Sequence, residues 1–183
     1  VIFFPKTTGK SVDDYKKGYL SQMSAINHHF PSAQKIFISS TRLYSGYSNI
    51  IVNENSLPKP SDEQGKIIEQ YENEALEHSQ NYVMRLGGLI TYKSNFVKLV
   101  LEKKLFLNNK YINGIFISDV VSLIVKILHE GISQQLVNVI MPKYMKYSDF
   151  DSAFKGEPVN AAVKSIHYND ESEFKIKSIE EIT

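Results

Sequence analysis

The chain has 183 residues, 42% of them apolar and 22% charged, which is room for a sizeable core and excludes a disordered or fibrous class. Twenty-one Lys plus Arg against twenty Asp plus Glu leave a formal charge of +1, which disfavours nucleic acid or an anionic membrane as partner. With no cysteine there is no disulfide, thiolate metal site or Cys nucleophile, and the count fits a reducing, cytoplasmic setting. The nine glycines never fall as G-x-G, so the usual Gly-rich nucleotide-binding spacings are absent.

Val1-Ile2-Phe3-Phe4, stopped by Pro5, predicts a strand buried on both faces of a parallel sheet. It opens with no polar lead-in and reads as a chain cut off upstream. Ser11 followed by Asp13 and Asp14 is a helix start, and Tyr15, Tyr19, Leu20, Met23 and Ile26 form one apolar stripe to about Ile26. Pro31 punctuates, and Lys35 to Ser40 is a second buried strand, completing a right-handed βαβ unit. Tyr44 to Pro60 is a loop with a short extended piece at Ile50 to Val52. Ser61 and Gln64 match a capping box for a helix to about His78, and Tyr82 to Leu86 is the next strand, ending at Gly87-Gly88.

Further on, Phe96 to Leu105 predicts a helix, Ile115 to Ile117 a strand, and Asp119 an N-cap for a helix from Val120 to Leu128. Leu136 to Met141 is a strand closed by Pro142, Ser148 starts a short helix, and the last stretch is polar and weakly periodic. The five histidines show only the adjacent pair His28-His29, which points in two directions, so no metal site is expected. Glu69, Glu72 and Glu74 read as a solvated helix face, whereas Arg85, inside a strand, calls for a buried carboxylate partner.

Five stretches carry a family resemblance: Ile36 to Tyr44, Asn53 to Pro60, Glu72 to Leu76, Arg85 to Ile90 and Tyr111 to Asp119. In this order they resemble the extended and atypical short-chain dehydrogenase/reductases, in particular the NAD-dependent epimerase/dehydratase family. The resemblance implies an α/β fold: a partial Rossmann-like, doubly wound parallel sheet over 1–91, then a small C-terminal substrate-capping region with the last sheet strand over 92–183. It implies NAD or NADP as cofactor of an intact parent, the alternative being that this chain alone binds none. The cofactor-binding positions would be Pro5, Ser39, Ser40, Gly87 and Gly88, and the substrates of such proteins are nucleoside-diphosphate sugars.

Read from the residues alone, Ser39 and Ser40 either meet a ligand or hydrogen-bond the next loop, and Gly87-Gly88 is either a close approach to a cofactor or a tight turn. Ser40 falls on the family's catalytic Ser or Thr. The family's catalytic Tyr and Lys, however, align with Gln64 and Ile68, which neither ionise nor donate as that chemistry requires, so catalysis of this kind is expected to be lost. The family's Gly-rich first βαβ unit precedes the strand that Val1 to Phe4 matches, and without it that strand is a bare apolar edge. The expectation is therefore a truncated or atypical epimerase-like protein. The alternative is a non-catalytic interaction protein, a homodimer through the Ser61 to His78 helix or a chain whose Val1–Phe4 edge a partner covers.

Overall fold

The computed structural model describes the whole chain from Val1 to Thr183. Four parallel strands form the main sheet in the order β1 (Ile2–Phe3), β2 (Lys35–Ser40), β4 (Asn81–Leu86) and β7 (Leu136–Val139). Two-stranded parallel sheets pair β3 (Ile51–Val52) with β8 (Ala162–Val163) and β5 (Gly88–Ile90) with β6 (Gly114–Phe116).

The first crossover is a helical rod, α1, made of an α-helical turn Val12–Tyr15, a π-helical stretch Lys16–Ser21 and an α-helix Gln22–His29. Ser11 caps it as expected, in a reciprocal capping box with Asp14. The π-helical stretch was not legible in the stripe. It carries Gly18, where a Cβ would lie 2.7 Å from the Lys6 carbonyl oxygen, so only glycine lets the rod approach the loop after β1.

Helix α2 spans Glu63–Leu76, two residues in from each predicted end. Its cap is Asp62, whose carboxylate accepts from the Gly65 N–H at 2.8 Å, and not Ser61. The Ser61 hydroxyl instead meets the Ser45 hydroxyl, and Gln64 turns to other partners, so the expected capping box does not form. Helix α3 covers Phe96–Lys103 and α4 covers Ile117–Glu130. Asp119 is not the cap of α4; it lies in the first turn, fully buried, and accepts from the backbone N–H groups of Lys175 and Ile176. The segment predicted as a short helix from Ser148 is a single 3-10 turn, Tyr147–Asp149.

The sheet alternates by register. Phe37 and Val83, neighbours across β2 and β4, face α1 and α2 and pack with Phe3, Met23, Tyr71 and Ala75. Ile36, Ile38, Met84, Leu86, Val137 and Val139 face the other way into the larger core with α3 and α4. Helices and loops thus cover both faces, as parallel strands require. The polar-looking tail belongs to that larger core: Tyr168, Phe174, Ile176 and Ile179 are buried in it. Irregular spacing hid them, because this segment is docked by side chains such as Asp119 and has no period of its own.

The edge strand differs from its prediction on one face. Phe3 is buried, but Val1, Ile2 and Phe4 are 39%, 41% and 50% exposed, since β1 has a neighbour on one side only. No helix is long and apolar enough to cross a membrane.

Candidate functional site

The carboxyl ends of β2 and β4 carry the residues singled out in the sequence. Register sets Ser39 of β2 beside Arg85 of β4, and Arg85 beside Asn138 of β7. These three continue the Phe37–Val83 row, so a polar ridge stands where the apolar row ends. Glu72 of α2 descends onto it. Arg85 donates to the Glu72 carboxylate from Nε at 2.8 Å and from Nη2 at 2.6 Å, with both residues almost fully buried. The Ser39 hydroxyl donates to the same carboxylate. Arg85 Nη1 reaches the Tyr44 hydroxyl at 2.6 Å, and that hydroxyl donates to the Asn53 carbonyl at 2.9 Å.

Glu72 is therefore not on a solvated face; it is the buried carboxylate that Arg85 called for. Burial raises its pKa above the ordinary carboxylate value, while the Arg85 guanidinium and the Ser39 hydroxyl pull it back. Ser39 faces this pair under α2, so its hydroxyl proton is spent on Glu72. Ser40, one residue on and pointing to the opposite face, accepts from the Arg42 N–H at 3.2 Å and keeps its own proton available to a ligand.

At the position of the family's Tyr, the Gln64 side-chain oxygen accepts from Arg42 Nη2 at 2.6 Å, and its amide nitrogen donates to the Lys10 carbonyl. Arg42 is held in turn by Asp62, at 2.6 Å through Nη2, and this hydrogen bond holds the Asp62 carboxyl below its ordinary value. A structural strap thus runs from the start of α2 to the loop before α1. Ile68, at the position of the family's Lys, is 1% exposed and lies in the core.

Pro5 is half-buried at the end of β1. Gly87 is glycine for packing: a Cβ there would lie 2.3 Å from Ile140 Cδ1 and 2.8 Å from the Asn113 carbonyl oxygen. At exposed Gly88 a Cβ would lie 2.6 Å from the Phe96 ring, and β5 begins there in place of a tight turn. The structure thus gathers Ser40, Arg42 and Gln64 at one strand end, and sets Gly88 in a different cavity.

That cavity, of about 330 Å³, lies between Gly88, α3 and the segment from Phe106 to Asn113, and is walled mainly by Phe96, Val100, Phe106, Tyr111 and Tyr147. A smaller one of about 190 Å³, with Thr41, Arg42, Tyr44 and Ser45, adjoins it through the shared residues Asn113 and Asn160. Both amides are occupied by backbone. Asn113 accepts from the Val163 N–H and donates to the Ala161 carbonyl, and Asn160 exchanges both bonds with Tyr111. No sequence signal marked this cleft, because its walls come from segments far apart in the chain and each aromatic reads as core.

Parallel strands joined by helical crossovers and a ligand-sized cleft at their carboxyl ends define a Rossmann-like α/β protein. No family model matches the chain, and no curated protein matches it in sequence. Solved structures do. A putative NAD-dependent epimerase/dehydratase from Methylobacillus flagellatus is 17% identical with a TM-score of 0.63, over 85% of this chain and 63% of that one. The dTDP-glucose 4,6-dehydratase of Bacillus anthracis, in complex with NAD, is 13% identical with a TM-score of 0.73, over 99% and 68%. The enzyme WbmG of Bordetella bronchiseptica, also in complex with NAD, is 14% identical with a TM-score of 0.65, over 97% and 66%. The chain thus shares the fold of these epimerase/dehydratase structures, and spans 63% of the length of the first of them.

Proposed function

We propose that this chain is part of an NAD(P)-binding protein of the epimerase/dehydratase type in which Tyr/Lys catalysis is absent. The observation that carries this reading is the conversion of the Tyr and Lys positions within an otherwise matching fold. Gln64 is tied into a strap with Arg42 and Lys10, and Ile68 is core. A nicotinamide dinucleotide, when bound, supplies hydride transfer. Of this chain's residues, Ser40 fits it with a free hydroxyl proton and Pro5 with its place at the end of β1, while Ser39 and Gly87 act through the packing beneath. The absence of cysteine fits a cytoplasmic setting for such a protein.

The test is calorimetric titration of NAD and NADP into the full-length gene product. Saturable binding of either, without turnover of nucleoside-diphosphate sugars, is expected. No binding of either removes the reading.

We further propose that the free edge of β1 is covered by another strand in the working protein, because Val1, Ile2 and Phe4 expose apolar surface beside unpaired backbone. On its own this chain should then self-associate. Light scattering is expected to show dimers or larger species, and Ile2→Lys with Phe4→Lys should shift them toward monomer. A wild-type chain that stays monomeric across a broad concentration range would count against an uncovered edge. Dimers unaffected by the two lysines would move the interface to α2.

A further inference from the structure

We propose that the larger cleft binds a planar aromatic ligand carrying one anionic group. The cleft lies between Gly88, α3 and the 106–113 segment, and this inference does not depend on dinucleotide binding elsewhere. Its walls are aromatic faces and edges from Phe96, Phe106, Tyr111 and Tyr147, with Val100 at the base, which favours a flat apolar ring over a polyhydroxylated one. Three polar groups in it have no protein partner, the Lys110 ammonium and the hydroxyls of Tyr111 and Tyr147. The Lys110 ammonium sits 4.2 Å from the Phe106 ring centroid and makes no ion pair. Tyr147 is only 3% exposed, yet its hydroxyl makes no hydrogen bond within the protein, and burial alone pushes its pKa up to about 12. Its ring packs edge-on against the same Phe106, 5.2 Å between centroids, so the free phenol and the free ammonium flank one ring. That hydroxyl is not sealed from the cleft, so an anionic acceptor there can take its proton with no competing protein bond.

The charge pattern limits the ligand further. Beyond Lys110 the cleft continues past Asn113 and Asn160, whose amides are spent on backbone, and the next cation, Arg42, is already paired with Asp62. A diphosphate placed midway would therefore meet neither a free cation nor a free amide, and desolvating its two charges there would go uncompensated. One anionic group at Lys110 and Tyr147, on a ring held among the aromatic walls, matches what is available.

The probe is cinnamate, a planar ring with one carboxylate, titrated into the full chain by calorimetry beside cinnamyl alcohol, its neutral counterpart, and UDP-glucose. Cinnamate is expected to bind saturably and about tenfold more tightly than the alcohol, the size of one charge-assisted contact. Lys110→Met should remove that margin and leave the alcohol unchanged, and Tyr147→Phe should weaken cinnamate alone by several-fold. Neither substitution should alter NAD titration of the full-length product, so loss of this site and loss of the dinucleotide reading give different results. No cinnamate binding, equal affinity for acid and alcohol, tighter binding of UDP-glucose, or affinities unmoved in both folded variants overturns the proposal.

Discussion

Replacing Arg85 by Met is expected to destabilise the protein by about 3–5 kcal/mol, the cost of leaving one member of a buried pair alone. Glu72 and Arg85 are both nearly inaccessible, and the variant leaves the carboxylate with only the Ser39 hydroxyl as donor. Urea unfolding of the two proteins at neutral pH measures the loss. A second change separates charge from packing: Glu72→Leu in the Arg85→Met background should recover most of it, because an apolar pair of similar bulk has nothing to desolvate.

The same pair makes a signed prediction about pH. Glu72 has its folded pKa raised, so the folded state holds a proton more readily than the unfolded chain. Stability contributed by this group is therefore highest at acid pH and falls as pH rises from the unfolded pKa through the folded one. Without Arg85, one pull against burial is gone, the folded pKa rises further and the window widens upward. The deficit of Arg85→Met relative to wild type should then be smaller in mildly acid than in mildly alkaline buffer. A deficit that is flat, or larger in acid, would show that Glu72 does not titrate as a buried carboxyl.

Ile68→Lys is the second large effect. In the family resemblance this position carries a lysine that serves the active site, yet here it lies in the core at 1% exposure. The buried carboxylate one turn away, Glu72, is already held by Arg85, so an ammonium placed there costs several kcal/mol. Its folded pKa would be depressed, so the variant should gain stability as pH rises toward the ordinary lysine range and lose it as pH falls. Urea midpoints near neutrality and near pH 10 give the measurement. A variant as stable as wild type at neutral pH would mean that the position opens onto a wet crevice, and the case for lost Tyr/Lys chemistry would have to rest on Gln64 alone.

Much of the frame was legible because periodicity and punctuation are local. The strand Lys35–Ser40 and the cap at Ser11 follow from their own residues, as does the demand of Arg85 for a carboxylate. What failed did so where two local solutions were equally good. Ser61 and Asp62 are both sound N-caps, and the choice fell to Asp62 because Arg42, distant in sequence, binds its carboxylate. Asp119 has the right chemistry for a cap, but the docking of Lys175 and Ile176 claims its oxygens inside the helix.

The candidate site divides in the same way. That Gln64 and Ile68 cannot perform acid–base work follows from side-chain chemistry, and no fold could change it. Which of Ser39 and Ser40 keeps a free hydroxyl proton was decided by pleat and register, which turn Ser39 under α2 toward Glu72 and leave Ser40 on the opposite face. The aromatic cleft is wholly a tertiary product, since Lys110 and Tyr147, far apart in sequence, become neighbours only through a backbone hydrogen bond between their segments.

By itself the sequence determined the class of fold, through alternating apolar runs and capped amphipathic stretches, and that neither Gln64 nor Ile68 can act as an acid or base. Only the tertiary structure decided which charges are paired, which hydroxyls are spent and where a cavity is left. Those outcomes depend on distances between residues that no local pattern links.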